Sequence, residues 1–224
     1  MLRNEFTLPA ALAALEPMRL GERALGLDTP GWLYEFKFNG FRLMAQFGSG
    51  KASLMTGNGA DATKWFPEVA ASLAEIPGGA HIVDGEVCVL DDHGRSDYAK
   101  LRARAKRRRW HGGADQVTYC VFDLLVENDV DLMSRPLQER KRHLFRLLPA
   151  APSLLYVSHV EGHGRELMAQ TASLDLEGLV AKRADSAYEP GMRSPDWIKI
   201  EDQRPAPEQE AEEGEWGEQQ VSQF

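Results

Sequence analysis

The stretch that decides how this chain folds is EFKFNGFR, residues 35–42. It follows an apolar run that begins at Trp32 and reads as a strand entering a tight turn at Gly40, because glycine tolerates turn conformations that bulkier residues resist. Such a turn would leave Lys37 facing a cleft, where aromatic neighbours would partly desolvate it and favour its neutral, nucleophilic amine. Arg42 keeps its charge and suits a phosphate or a sugar hydroxyl. A surface lysine beside a turn is the alternative that these residues leave open.

Length and composition indicate an ordinary globular protein. A chain of 224 residues allows one domain with a sizeable core, or two small lobes. It contains no apolar run long enough to span a bilayer and no basic-then-apolar signal at its N-terminus, so we expect a cytoplasmic protein with no membrane partner. Cys88 and Cys120 lie in apolar, strand-like runs, which predicts buried free thiols.

Charge is distributed unevenly along the chain. Residues 201–224 hold eight acidic side chains against Arg204 alone, a net charge of −7, which leaves −1 of the total −8 for the first 200 residues. The near-neutral body also contains a strongly basic stretch, so the acidic total does not exclude a nucleic-acid partner. We therefore predict a folded domain over residues 1–203 and an acidic, disordered tail over residues 204–224.

Alternation and turn signals predict more strands than helices, most of them joined by short turns. This pattern favours an α+β fold of mainly antiparallel sheets flanked by helices. A helix that opens at Asp61 or Thr63 is expected to carry Trp65 and Phe66, and others are expected over residues 97–109, 136–148 and 164–174. Strands are expected near residues 32–37, 41–47, 52–56, 81–90, 117–125, 154–160, 178–183 and 197–201.

Four further stretches carry groups suited to chemistry. Asp84 and Glu86 are two residues apart in one strand and so share a face. The others are the aromatic strand around Phe122, the carboxylate and lysine of residues 177–182, and the alternating residues 197–201, which place a tryptophan, a lysine and a glutamate on one side. Taken singly, each has a structural explanation, because acids occupy turns, aromatic rings fill cores and lysines occur on edge strands.

Taken together and in this order, the stretches resemble the nucleotidyltransferase motifs of ATP-dependent DNA ligases, and above all the ligase module of bacterial non-homologous end-joining ligases. The resemblance covers about residues 14–201. The matched positions are Lys37, Gly40 and Arg42 of the first motif, Asp84-Gly85-Glu86, the aromatic strand 119–125, Glu177, Gly178 and Lys182, and finally Trp197 and Lys199.

The resemblance implies the adenylation fold of these enzymes and the sealing of DNA nicks in repair and recombination. Lys37 would attack the α-phosphate of ATP and form a lysyl–AMP, which passes AMP to the 5′-phosphate of nicked double-stranded DNA. Lys182 and Lys199 would bind the nucleotide and neutralise charge on the α-phosphate. Mg²⁺ or Mn²⁺ would be required.

The resemblance also implies roles for the remaining site residues. Glu177 and Glu86 would supply oxygen ligands for the metal. Glu86 and Arg42 would hold the ribose, Phe122 would stack on adenine, and the backbone near Glu35 would read the adenine edge.

A basic stretch, residues 100–110, fits a DNA-facing helix, because phosphate contacts require clustered lysine and arginine. Its candidate DNA-binding residues are Arg102, Lys106, Arg107, Arg108 and Arg109. The alternative is a solvated helix flank paired with the acidic tail.

Three positions depart from the family pattern. Asn39 stands where the family has aspartate, Glu201 replaces a lysine, and residues 56–59 replace a turn that carries arginine. An acidic tail also stands where these ligases continue into a DNA-clamping OB domain, so the domain would either adenylylate Lys37 with reduced activity or seal nicks only with a partner protein that supplies the clamp. The departures leave open a catalytically dead nucleotide- or DNA-binding module of a repair complex. The lysine chemistry leaves open an RNA ligase or a capping guanylyltransferase, which two further stretches that resemble the end-joining ligases, residues 15–18 and 193–197, disfavour.

Overall fold

The computed structural model of the protein describes residue 12 and residues 14–202. The predicted acidic tail, residues 204–224, lies outside the described residues. Within the part of the chain that is described, no helix has the length and apolar character needed to cross a membrane.

Eleven strands are described, and they form two sheets. In chain order they are β1 Arg19–Gly21, β2 Trp32–Phe36, β3 Phe41–Gly48, β4 Lys51–Thr56, β5 His81–Cys88, β6 Thr118–Glu127, β7 Val130–Asp131, β8 Leu154–Tyr156, β9 Val160–Glu161, β10 Gly178–Arg183 and β11 Arg193–Glu201. The first sheet has the order β1-β11-β10-β2-β9, and the second has the order β4-β3-β5-β6-β7 with β8 added beside β6. Pairing is antiparallel except between β1 and β11 and between β6 and β8, so the predicted α+β class is confirmed.

Within the described part of the chain, four α-helices flank the sheets. They are α1 Pro67–Ala74, α2 Tyr98–Ala105, α3 Leu137–Leu147 and α4 Gly164–Thr171, and a short 3₁₀ turn, Ala172–Leu174, follows α4. Helix α1 packs on β3 and β4, α3 packs on β6, and α4 packs on β2, β9 and β10. The α2 helix begins after Asp97, whose carboxylate accepts a hydrogen bond from the Lys100 amide at 2.9 Å.

The second sheet separates two apolar clusters. Leu43, Ala45 and Phe47 of β3 face a large core shared with α1, α2 and α3, whereas Met44 faces the opposite cluster together with Trp197 of the first sheet. The second cluster therefore joins the two sheets, and the cleft described below opens beside it.

Three predicted elements differ from the structure. The helix expected from Asp61 or Thr63 begins only at Pro67, because the Thr63 side chain accepts a hydrogen bond from Leu54 of β4 and holds this segment as a loop. The helix expected over residues 97–109 ends at Ala105. The strand expected over residues 154–160 is two short strands that belong to different sheets, so this segment crosses between them.

Helix α3 buries charged side chains and leaves a large apolar one exposed. Phe145 of this helix is 67% exposed. The buried side instead includes Arg140 and Lys141. Arg140 forms a paired contact with Asp123 of β6, with both nitrogen–oxygen distances at 2.8 Å and both side chains fully buried. This ion pair fixes α3 against the second sheet.

Candidate active site

Lys37 follows β2 directly and meets the start of β10. Its amide donates a hydrogen bond to the Gly178 carbonyl at 3.0 Å, and its Nζ lies 2.6 Å from Glu177 Oε2. Gly178 has a φ of +149°, and a Cβ there would lie 2.1 Å from the Ile200 carbonyl oxygen. Glycine is therefore required at this point, and its close packing against β11 sets the position of Glu177 beside the lysine.

Glu177 also meets Lys199, because β10 and β11 pair so that Gly178 lies opposite Glu201. Lys199 Nζ is 3.6 Å from Glu177 Oε2 and 2.7 Å from Glu201 Oε1. Burial opposes ionisation of Glu177, but the hydrogen bond and charge of Lys37 outweigh it and lower the pKa of this carboxyl. The departure at Glu201 thus has a clear effect, since its hydrogen bond raises the pKa of Lys199 and occupies that ammonium.

A cleft of about 200 Å³ opens next to Lys37 between the two sheets. Its lining includes six of the residues that the sequence predicted for the site, namely Glu35, Lys37, Arg42, Glu86, Phe122 and Lys182. Glu177 adjoins the cleft through its contact with Lys37, and Lys199 in turn contacts Glu177. Lys37 and Glu177, which are 140 positions apart in the chain, therefore meet in one place.

Lys182 is held between a carboxylate and two aromatic rings. Its Nζ lies 2.6 Å from Glu35 Oε2, 4.0 Å from the centre of the Phe122 ring and 4.2 Å from that of Trp197. Contact with both ring faces stabilises the cation. Burial nevertheless lowers the pKa of Lys182 to about 8, against the opposing attraction of Glu35. The Phe122 ring, which is predicted to stack on adenine, therefore already contacts the Lys182 cation.

The Glu35 side chain is a structural ion-pair partner. It is 2% exposed, and its carboxylate contacts the ammonium groups of both Lys182 and Lys141. The Lys141 contact was missed at the sequence level. Its signal was weak, because Lys141 lies in a run of charged residues that reads as a solvated helix face.

Arg42 is held by Asp84 on the neighbouring strand. Its Nε and one terminal nitrogen each lie 2.6 Å from an Asp84 carboxylate oxygen, and the Tyr188 hydroxyl donates a third hydrogen bond to Asp84 at 2.6 Å. Burial alone would lower the pKa of Arg42, but the charge and hydrogen bonds of Asp84 raise it. A second terminal contact reaches the Met18 carbonyl at 3.2 Å, which ties the N-terminal segment to the site.

Glu86 lies opposite Arg42 in the β3–β5 pairing, so Asp84 and Glu86 both approach the arginine. Burial raises the pKa of Glu86 to about 7, although Arg42 and Lys37 oppose the shift. Glu86 and Glu177 thus place two carboxylates near Lys37. No cluster of three metal-ligating side chains occurs in the described part of the chain. Two carboxylates fit a Mg²⁺ or Mn²⁺ ion that takes its other ligands from phosphate and water.

The basic stretch has two kinds of residue. Arg104 is buried and pairs with Glu68 at 2.6 Å, so it holds α2 against α1. The residues predicted to contact DNA are Arg102, which is half-buried, and Lys106, Arg107, Arg108 and Arg109, which are exposed. As far as the described chain goes, none of these five lines the cleft beside Lys37.

Two of the positions that depart from the family pattern, Asn39 and residues 56–59, lie in turns. The Asn39 backbone N–H donates a hydrogen bond to the Ser96 hydroxyl at 3.4 Å. A Cβ on Gly40 would lie 2.1 Å from the Val87 carbonyl oxygen. The replaced turn at residues 56–59 closes through a hydrogen bond from the Gly59 amide to the Thr56 carbonyl at 2.9 Å. The lysine turn thus requires a glycine because of close backbone packing, and not because of the turn conformation that the sequence suggested, since the φ of Gly40 is not in the left-handed region.

Comparisons with known proteins agree with this architecture. The chain is 35% identical over 171 residues to the multifunctional non-homologous end joining protein LigD of Pseudomonas aeruginosa, a match that covers 75% of this chain and 20% of that protein. It is 30% identical over 186 residues to the SPbeta prophage-derived DNA ligase-like protein LigB of Bacillus subtilis, covering 83% of this chain and 67% of that protein. The chain therefore spans about a fifth of the length of the first relative and two thirds of the second.

Solved structures confirm the fold. The ligase domain of M. tuberculosis LigD superposes with a TM-score of 0.71 at 28% identity, covering 84% of this chain and 61% of that one. A mycobacterial DNA ligase D complexed with ATP and MES gives a TM-score of 0.70 at 28% identity, covering 84% and 60%. A family model for the ATP dependent DNA ligase domain matches residues 19–201. The chain therefore belongs to the ATP-dependent DNA ligase domain family.

Proposed function

We propose that this domain is the nucleotidyltransferase of an ATP-dependent DNA ligase that acts in DNA repair, with Lys37 as the AMP acceptor. The observation that carries the proposal is the position of Lys37 at the mouth of a cleft that also contains Lys182 and Arg42. Three cations beside one small cleft favour a polyanionic ligand such as ATP.

The chemistry follows from these positions. After losing a proton, Lys37 Nζ attacks the α-phosphorus of ATP, an N–P bond forms, and the bond to pyrophosphate breaks with the electron pair leaving on pyrophosphate. Lys182 and Lys199 stabilise charge on the α-phosphate. Glu86 and Glu177 would hold Mg²⁺ or Mn²⁺, which would neutralise phosphate charge when bound.

We further propose that Phe122 packs on the adenine, that Arg42 and Glu86 contact the ribose, and that the Glu35 side chain supports the site through Lys182. The substrate would be nicked double-stranded DNA, in which the 3′-hydroxyl displaces AMP from the adenylylated 5′-phosphate. Exposed residues of the basic stretch, Lys106 to Arg109, would contact the DNA backbone.

The test is incubation of the purified protein with α-labelled ATP and either Mg²⁺ or Mn²⁺, followed by a denaturing gel and intact mass. We expect a covalent AMP label that is lost in Lys37→Ala and kept in Lys51→Ala, an exposed lysine on β4. A label that persists in Lys37→Ala would contradict the mechanism. Preference for GTP over ATP would indicate a capping guanylyltransferase instead.

One observation favours a second candidate, a module that binds nucleotide without reacting. Glu201 holds Lys199 at 2.7 Å, and a carboxylate there opposes the approach of the α-phosphate. ATP binding by the folded protein without a covalent label under either metal would support this reading.

A further inference from the structure

We propose that Lys141, a residue outside the motifs discussed above, is a positioning residue that leaves the Lys182 ammonium available to an anionic ligand by sharing the Glu35 carboxylate. The inference rests on the proposed function only for the identity of that ligand, ATP. Lys141 itself acts from behind the cleft, through Glu35.

The geometry shows one carboxylate divided between two ammonium groups. Glu35 Oε1 contacts Lys141 Nζ, and Glu35 Oε2 lies 2.6 Å from Lys182 Nζ. Lys141 is fully buried and also donates a hydrogen bond to the Val157 carbonyl at 2.9 Å. Its helix is fixed by the neighbouring Arg140–Asp123 pair, so the Lys141 side chain reaches Glu35 from a rigid element.

The charge balance of this cluster is the second step. Glu35, Lys141 and Lys182 together carry a net charge of +1 when all three are ionised, and all three are at most 2% exposed. Asp123, the other carboxylate whose charge raises the pKa of Lys182, is already paired with Arg140. The cluster therefore retains one positive charge that its own carboxylates do not balance, and that charge faces the cleft through Lys182.

The hydrogen bonding of Lys182 also favours an anionic ligand in the cleft. Its Nζ lies 2.6 Å from Glu35 Oε2 and has no other hydrogen-bond acceptor among the described residues, so the three N–H groups of this ammonium are not all paired. Buried donors in this state favour an incoming acceptor, because an unpaired buried N–H is unfavourable. A phosphate oxygen in the cleft would satisfy it.

Without Lys141, the Glu35 carboxylate would pair with Lys182 alone. The like-charge repulsion from Lys141 helps to lower the pKa of Lys182, after burial as the main cause and against Glu35 and Asp123. Removing that repulsion would raise the pKa of Lys182 and bind its ammonium more tightly to Glu35. The cluster would become neutral, and its attraction for a triphosphate would fall.

The test compares Lys141→Met, which removes the charge at similar length, with Lys141→Arg, which keeps it. Arg142→Met on the same helix is the matched control, because Arg142 is exposed and makes no contact with Glu35 in the structure. The first readout is an NMR titration of ¹³C-labelled lysine in nucleotide-free protein. Only eight lysines are present, and Lys182→Met assigns the signal of interest.

We expect Lys182 in the wild-type protein to titrate near pH 8, and to do so about one pH unit higher in Lys141→Met. Lys141→Arg and Arg142→Met should leave the titration unchanged. The second readout is lysine adenylylation, for which the apparent KM for ATP should rise about tenfold in Lys141→Met while the single-turnover rate at saturation changes less than about threefold.

These outcomes separate the inference from the proposed function. If the protein forms no adenylate, the kinetic readout is replaced by binding of a non-hydrolysable ATP analogue. The lysine titration uses nucleotide-free protein and does not depend on adenylate formation. An unchanged Lys182 titration in folded Lys141→Met would overturn the inference, as would equal weakening of ATP binding by Lys141→Met and Arg142→Met. If Lys141→Met does not fold, a wild-type Lys182 that titrates above pH 10 would overturn it.

Discussion

Replacing Asp84 by asparagine is expected to destabilise the domain by about 3 kcal/mol, because it breaks the buried Arg42–Asp84 ion pair. Asp84 is fully buried and accepts three hydrogen bonds of 2.6 Å, two from Arg42 and one from Tyr188. The asparagine has nearly the same shape, but it brings no negative charge and can accept through only one side-chain atom.

The magnitude follows from the burial of the two partners. Removing one member of a buried ion pair costs about 3–5 kcal/mol, because the remaining charge is left without compensation. Arg42 retains 25% exposure of its side chain, so water recovers part of the lost interaction and the lower end of that range applies. Tyr188→Phe removes one hydrogen bond to the carboxylate and should cost about 1.5 kcal/mol.

The assay is equilibrium urea unfolding followed by tryptophan fluorescence, which reports on the buried Trp197. At an m value of about 2 kcal/mol per molar urea, the Asp84→Asn midpoint should fall by about 1.5 M with m unchanged. A double-mutant cycle with Arg42→Met should show that the double variant loses at least about 1 kcal/mol less than the sum of the single losses. A loss below 1 kcal/mol for Asp84→Asn, or additive losses, would refute the reasoning.

Three further predictions concern the lysine turn, the departure at the end of β11 and the acid opposite Arg42. Gly40→Ala should cost more than about 2 kcal/mol in urea unfolding and abolish adenylylation, since its Cβ would lie 2.1 Å from the Val87 carbonyl oxygen; near-wild-type stability would contradict this. Glu201→Gln should lower the Kd for ATP about threefold in calorimetry by freeing Lys199, a modest gain because Glu201 is 70% exposed; no change would argue that Lys199 does not face the nucleotide. Burial raises the pKa of Glu86 from 4.5 to about 7, so in metal-free protein native stability should fall as pH rises between these values, by up to about 3 kcal/mol, and Glu86→Gln should flatten this dependence; an equal slope in both proteins would exclude Glu86 as its source.

Much of the site was predictable because its motifs are visible as particular residue types at fixed spacing along the chain. Gly40 and Gly178 pack against carbonyl oxygens so closely that no side chain fits, and this requirement is visible as a glycine at a fixed place beside a charged residue. Period-two alternation likewise placed Asp84 and Glu86 on one face, and the structure brings both to Arg42. The order of the motifs then indicated the family, which the comparisons confirm.

Element boundaries were less predictable where long-range pairing decides them. Residues 154–160 read as one strand, yet β8 pairs with β6 and β9 pairs with β2, so two sheets compete for one apolar segment. The helix expected from residue 61 begins late because Thr63 bonds to β4 instead. In both cases the partner lies elsewhere in the chain, and local propensity carries no information about it.

The sequence by itself determined the fold class, the family and most of the residues around Lys37, because alternation and the order of the motifs can be read directly along the chain. Only the tertiary structure decided which charged side chains are buried. Lys141 lies 106 residues from Glu35, and Arg104 lies 36 residues from Glu68, yet each cation is buried in contact with the carboxylate of that distant residue. Burying a charged side chain is costly unless an opposite charge lies next to it, and the packing between elements sets the position of that opposite charge.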